Sequence, residues 1–411
     1  MNHFPPRNCP VCLGCDRESL FHQDFFAFSE GGLMEGYDLA VCGTCGAGYA
    51  DNIPAQAVFD TYYADMSKYE NSATGGKLSE TNADRFRSVV DLVAPNVRTD
   101  ESIADIGCAT GGLLAEFKRR GFGKVMGFDP SAACAAVAQA TYGIEVRTVP
   151  IGGLANTDQR FDAVILTGVL EHLRDLDSSL SALLGMLNAG GRIYIEVPDA
   201  TRYAEWFSAP FQFLSMEHVN FFSPTSLANL FLRFGLQPVF VKRVDRFLSP
   251  NAGEPAVAGL FQMPKGGAKI PRQLARDEET KPALEKYLAQ SREQDARIAA
   301  VIRDLVSRRV PLAVWGTGTH TLRLLKTGQL AQANIVAFID SNSRYHGKTL
   351  HGVPIVAPET FARPEAEVLI SSHVAEREIK KQIETSLRWP NKVICLYEQM
   401  PVALGRTVES L

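Results

Sequence analysis

The run Ser102-Ile-Ala-Asp-Ile-Gly-Cys-Ala-Thr-Gly-Gly112 is the most informative in the chain. Ser102–Ile106 has the length and apolar character of a buried strand, and the glycines at 107, 111 and 112 punctuate a turn. Leu113 to Arg120 then continues at helical spacing. A strand that enters a helix through a glycine turn exposes backbone N–H groups at the helix start, where a ligand is expected. A dinucleotide fingerprint requires Gly-x-Gly-x-x-Gly; here Ala109 stands at the second glycine, which counts against NAD or FAD.

Outward from this turn, apolar runs alternate with amphipathic ones. Residues 125–128, 145–149, 163–167 and 192–197 read as further strands, and 132–142 and 176–187 as helices between them. That order predicts an α/β fold with a parallel sheet covered on both faces. After a helix over 226–234, the runs 237–244 and 256–263 are placed to form an antiparallel pair. Upstream, 55–63 and 80–93 read as helices, separated by a polar, glycine-containing loop at 67–76. Downstream, 264–283 is rich in Pro, Gly and Lys and reads as a linker, followed by a charged helix over 283–309. A second β-α-β pattern then begins: strand 310–315, helix 319–326, strand 335–339, with 353–356, 368–371 and 393–396 completing a smaller sheet.

Two further matches accompany the turn. Gly127-Phe-Asp129-Pro130 ends the next strand with an acid able to accept hydrogen bonds from ribose hydroxyls. Phe161-Asp-Ala-Val-Ile-Leu-Thr167-Gly168-Val-Leu170-Glu171-His172 supplies the third. Together they resemble the motifs of class I S-adenosylmethionine-dependent methyltransferases, over about residues 80–265. The resemblance implies a Rossmann-like core whose cofactor contacts are Asp105, Gly107, Cys108, Ala109, Thr110, Gly111, Asp129, Pro130, Thr167, Gly168, Leu170, Glu171 and His172. Upstream, Tyr62-Tyr63 through Tyr69 resembles the segment that covers the cofactor in zinc-ribbon methyltransferases, which adds Tyr69. A plain packing role for these tyrosines, and a helix-capping role for His172, stay open beside these assignments.

Past the fifth strand comes an aromatic-rich insertion ending in Ser215-Met-Glu217-His218-Val-Asn220-Phe-Phe222. This segment resembles the one in sugar C-methyltransferases acting on nucleotide-linked keto-deoxysugars, where a histidine with a nearby tyrosine removes the proton beside the ketone. The resemblance makes His218 the expected base, with Glu217 orienting it and Asn220 and Phe222 near the substrate. Ser215 stands where that family often has tyrosine. The requirement is chemical: a C–H beside a ketone needs a base of near-neutral pKa and a partner for the oxyanion. Transfer to oxygen or nitrogen of another small metabolite, and a non-catalytic cofactor-binding scaffold, remain alternatives. In the second β-α-β unit, Trp315-Gly316-Thr-Gly318-Thr-His320 resembles small Rossmann-type domains of sugar-modifying enzymes. By that resemblance Gly316, Gly318 and His320 are expected to meet the nucleotide part of a substrate; packing alone is the alternative.

Cys9-Pro-Val-Cys12 and Cys42-Gly-Thr-Cys45 form two C-x-x-C pairs, a donor set for structural Zn2+. Cys15 repeats the spacing after Cys12 and competes with Cys9 for one position. The expected organisation is a zinc module and cofactor-covering segment over 1–75, a methyltransferase core over 76–265, and a linker helix with a Rossmann-like domain over 266–411. The 411 residues carry 45% hydrophobic and 21% charged residues and a net charge of -4, without a dense basic run, which disfavours nucleic acid as partner. No apolar leader or membrane-length apolar stretch is evident, so the expectation is a cytoplasmic enzyme with a small-molecule substrate.

Overall fold

The computed structural model describes residues 4–25, 33–65, 79–249, 252–264 and 273–397. The chain divides into two compact units, one of Met1–His22, Tyr37–Tyr203 and Met216–Glu285, the other of Gln23–Gly36, Ala204–Ser215 and Lys286–Leu411.

The first unit opens with strands β1 (Arg17–Asp24), β2 (Gly36–Cys42) and β3 (Gly48–Asp51), then helices α1 (Gln56–Asp65) and α2 (Glu80–Val93). Ser79 caps α2 by accepting from the Asn82 N–H, and Val89, Val90 and Val93 form its buried stripe. The core follows as β4 (Ser102–Ile106), α3 (Gly112–Arg119), β5 (Lys124–Asp129), α4 (Ala132–Tyr142), β6 (Val146–Thr148), β7 (Phe161–Thr167), α5 (Leu176–Gly185) and β8 (Leu187–Pro198). The two-residue strand β9 (Asn220–Phe221), helix α6 (Pro224–Arg233) and the strands β10 (Gln237–Ser249) and β11 (Ala252–Gln262) complete it.

The large sheet has the order β10-β11-β8-β7-β4-β5-β6. It is parallel from β8 to β6, and β11 runs antiparallel to both neighbours. Alternate residues of the central strands divide between two buried apolar clusters: Ala104, Val164 and Ile195 on one side, Ile103, Ile165 and Tyr194 on the other. Both faces of the sheet are therefore covered, as its apolar strands require. Strand order reverses between β4 and β7, so the carboxyl ends of those two parallel strands bound the crevice where such sheets take ligands.

One expectation needs correction. The hairpin strands read as 237–244 and 256–263; the ladder instead runs on beyond them and pairs Arg246 with Glu254. Their side chains satisfy one another, which lets two charges lie inside the sheet edge. The helix read over 176–187 is α5, which starts at Leu176 behind the Asp175 cap, and Glu171-His172 precedes it in one 3-10 turn, Leu170–His172.

The N-terminal strands do not stand apart from this core. They form a four-stranded sheet, β1-β2-β3-β9, whose last strand comes from the insertion after β8. Cys9, Val11, Ala40 and Tyr49 belong to the same buried cluster as Val164 and Phe231.

The second unit contains most of α7 (Thr280–Arg308), then β12 (Leu312–Trp315), α8 (Thr319–Lys326), β13 (Ile335–Ile339), β14 (Thr349–Leu350), β15 (Val353–Val356), β16 (Glu367–Ile370), α9 (Glu376–Lys381) and β17 (Val393–Cys395). Its sheet has the order β14-β15-β13-β12-β16-β17, parallel except for β14. No helix among the described residues is long and apolar enough to cross a membrane.

Candidate active site

The turn after β4 is built for close approach. Gly107 and Gly111 have φ of 72° and 78°, and a Cβ on Gly107 would lie 2.7 Å from Val169 Cγ2. Between them Ala109 also takes a positive φ of 45°, and its N–H donates to Asp129 Oδ2 at 2.8 Å. The Ser131 N–H donates to the other oxygen at 2.9 Å, so two backbone groups fix the Asp129 carboxylate at the end of β5. Gly107 is exposed and Thr110 half-buried, whereas the Cys108 side chain is turned inward, its sulfur 2.5 Å from where a Cβ on Gly127 would be. Only the backbone of Cys108 can serve a ligand.

Asp105 lies beneath the turn, 2% exposed, and its Oδ1 has no hydrogen-bond partner among the described residues. Burial, reinforced by the charge of Asp129 and opposed by Arg85, pushes its carboxyl up to about 8. An orphaned carboxyl oxygen and a glycine cradle a Cβ would fill are features that an ammonium-bearing nucleoside suits.

Across the crevice, β7 ends in Thr167 and Gly168, both half-buried. The Leu170 side chain is buried in the core, so its assignment as a contact holds at most for its backbone. His172 Nδ1 lies 3.0 Å from the carbonyl oxygen of Glu217 and 3.1 Å from the Tyr63 hydroxyl. A carbonyl only accepts, so a proton on Nδ1 satisfies it, and Nε2 is the nitrogen on the side of Glu171. The rings of His172 and His218 meet edge to face with centroids 4.9 Å apart. The Tyr62 hydroxyl donates to Glu217 Oε1 at 2.8 Å. Thus α1, the turn after β7 and the insertion after β8 bring Tyr62, Tyr63, His172, Glu217 and His218 together.

Not every expected residue joins them. Asn220, 3% exposed, donates to the carbonyls of Leu170 and Leu173 and accepts from Arg7, so its amide is committed to holding the chain. Phe222 is buried in the core cluster. Neither is placed to meet a substrate as expected, because Asn220 lies in β9, which closes the N-terminal sheet, and Phe222 bridges to Asp199 just beyond it. Tyr69 lies outside the described residues.

Sequence reasoning missed a buried ionic group at the same edge. The Arg246 guanidinium, 6% exposed, donates from Nε to Glu254 at 2.6 Å and stands 3.8 Å from Glu171. Glu254 and Glu171 hold Arg246 charged despite its burial. The pairing follows from hairpin register, which a sequence scan does not supply.

The four N-terminal thiols Cys9, Cys12, Cys42 and Cys45 lie within 4.8 Å of one another, with Cys9–Cys45 at 3.6 Å and Cys12–Cys42 at 3.5 Å. Ligand sulfurs about 3.8 Å apart are what a tetrahedral ion with bonds of ~2.3 Å requires. Cys15 is exposed and outside the cluster, so Cys9 is the member of that pair positioned to ligate.

In the second unit, the turn Gly316–Gly318 enters α8, and its acid is already used: Thr317 donates to Asp340 from both N–H and hydroxyl. A ribose cannot take the place of Thr317 without displacing it. His320 is buried beside His373 and Tyr397, and its imidazole is pushed well below its usual range by burial and the charge of Arg323. Gly318 alone has open space at its Cα.

A Rossmann-like core with this turn and acid is the arrangement that class I S-adenosylmethionine-dependent methyltransferases use, and the similarities are to methyltransferase enzymes. Residues 79–240 match the methyltransferase domain family, and residues 309–394 match a family described as C2185-like, N-terminal. The C-methyltransferase NovU of Streptomyces niveus is 26% identical over 330 residues, 73% of each chain. The ubiquinone biosynthesis O-methyltransferase of Brucella ovis is 35% identical over 116 residues, and the match spans 27% of this chain and 46% of that one. Among solved structures, a SAM-dependent methyltransferase of Methanosarcina mazei is similar at 14% identity and TM-score 0.37, covering 42% of this chain and 97% of that chain.

Proposed function

We propose that the enzyme methylates carbon in a nucleotide-linked keto-deoxysugar. The observation that carries this reading is the juxtaposition of His218 with Glu217, His172 and two tyrosines at the crevice of the methyltransferase core. Similarity to a C-methyltransferase over most of both chains supports it. S-adenosylmethionine would supply an electrophilic methyl, with the turn at Gly107–Gly111 holding its amino-acid end and the Asp129 carboxylate its ribose. His218 takes the proton beside the ketone while Tyr62 fixes the Glu217 carboxylate next to it. A hydroxyl or protonated imidazole nearby then stabilises the enolate oxygen, and methyl transfer needs in-line positioning rather than a covalent enzyme intermediate. Zn2+ in the cysteine cluster is structural, because four thiolates leave no open position.

The test is incubation with methyl-labelled S-adenosylmethionine and a panel of nucleotide-linked ketosugars, with the product's labelled carbon located by NMR. A new C–C bond is expected, lost in His218→Asn while cofactor affinity persists. Label on oxygen alone would favour the reading suggested by the ubiquinone O-methyltransferase similarity. Unimpaired turnover by His218→Asn would remove His218 as base.

A further inference from the structure

Glu171, His172 and His218 converge beside the methyltransferase crevice: one donor atom from each lies within 4.8 Å of the other two. Glu171 is 1% exposed, and neither of its carboxylate oxygens has a hydrogen-bond partner among the described residues. Its nearest cation, Arg246, stands 3.8 Å away and already donates to Glu254. One positive charge thus serves two carboxylates, and the enclosed group is one cation short when both are ionised.

His172 sharpens the argument. With Nδ1 donating to the Glu217 carbonyl, Nε2 is the atom that faces Glu171 Oε1, 4.0 Å away. A neutral imidazole there turns its lone pair toward the carboxylate, an arrangement that a proton or a metal ion between them relieves. A ligating histidine commonly has its outer N–H fixed on a carbonyl in this way. Two imidazoles and one carboxylate suit Zn2+, Co2+ or Ni2+, and not Mg2+ or Ca2+, which prefer oxygen throughout. Donor atoms around such an ion stand about 3.4 Å apart, so small side-chain rotations close the set.

We propose that Glu171, His172 and His218 form a second divalent-cation site, separate from the cysteine cluster, whose occupation inhibits methyl transfer by taking the His218 lone pair. The inhibitory consequence rests on His218 being the base; ion binding itself does not. Free and ion-bound enzyme then differ in a single nitrogen, and transition-metal availability sets the active fraction.

The experiment titrates Co2+ into the full chain, whose cysteine-site metal content has been measured, with calorimetry and visible absorption as readouts. One added equivalent is expected, showing d–d bands without the sulfur-to-cobalt charge-transfer band of a thiolate site. Glu171→Gln and His172→Gln should each weaken that equivalent by at least about tenfold, the loss typical of disturbing even an outer-shell partner. Retention of the cysteine-site metal in both variants reports an intact fold. In the labelled-methyl assay, Co2+ should inhibit with the same midpoint. Absence of the added equivalent in the unsubstituted chain overturns the proposal and leaves a proton on Glu171 as the occupant of the gap. An equivalent that survives both substitutions, or one that binds without inhibiting, also overturns it. Because binding is read without an acceptor, an unproductive ketosugar panel bears only on the methylation reading.

Discussion

Asp105→Asn should make the ligand-free protein more stable, not less. In the folded chain the Asp105 carboxyl is pushed up to about 8 by burial and by Asp129, from its ordinary 3.8. Between those values the unfolded chain has released the proton and the folded chain keeps it, so ionisation favours unfolding as pH rises. At pH 7 the cost is about 4 kcal/mol, from 1.36 kcal/mol for each of the roughly three pH units above 3.8. Asparagine copies the shape of the protonated acid and cannot ionise, so it removes this cost. For a unit of this size the gain corresponds to a rise of about 8–16 °C in Tm. Scanning calorimetry of the ligand-free chain at several pH values provides the assay. The gain should be largest at pH 7 and above, fall below about 1 kcal/mol near pH 4, and vanish below about pH 3, where aspartate is protonated in both states. A lower Tm for the variant at pH 7, or a gain that does not shrink with acidification, would refute the reasoning. Cofactor affinity should move the other way, since a bound ammonium is what the ionised carboxylate awaits; stability is given up at a site that function needs charged.

Arg246→Met leaves Glu254 and Glu171 buried without their cation, and should destabilise the core by about 3–5 kcal/mol in urea unfolding followed by circular dichroism. Adding Glu254→Gln should recover much of that loss; no recovery would mean that packing, not charge, sets the cost. Asp129→Ala removes the acceptor of the Ala109 and Ser131 N–H groups as well as the ribose partner, so calorimetry should show cofactor affinity falling by on the order of a hundredfold or more. An unchanged affinity would refute the ribose assignment. Cys42→Ser should lower bound zinc by one equivalent per chain, measured by elemental analysis, whereas Cys15→Ser should leave it unchanged.

What the sequence revealed is what its local chain determines. The turn Gly107–Gly111 and the helix behind it need only their own residues, and Asp129 closes on that turn through its own backbone neighbours. The helices at Glu80–Val93, Ala132–Tyr142 and Thr319–Lys326 carry their stripes or caps within themselves. The catalytic edge was less legible because its partners meet only across the fold. Tyr63 reaches His172, and Tyr62 reaches Glu217, over long stretches of chain. Asn220 and Phe222 look like substrate contacts because a polar residue among aromatics follows Glu217-His218. Their alternation instead serves a short strand, whose pairing with β3 no periodicity of two residues could announce.

That strand gives the N-terminal cysteines a bearing on catalysis. Gly48 and Tyr49 of β3 pair with Phe221 and Asn220, immediately after His218. Arg7, two residues before the first cysteine, donates to the carbonyls of Val219 and Arg174 and to the Asn220 amide. Asn220 in turn holds the Leu170 and Leu173 carbonyls on either side of Glu171 and His172. One network therefore joins the cysteine module to both histidines. A metal held by Cys9, Cys12, Cys42 and Cys45 would contribute its binding energy to this network as well. Loss of that metal should therefore disturb the approach of His172 and His218 before it disturbs the glycine turn, which none of these bonds touches.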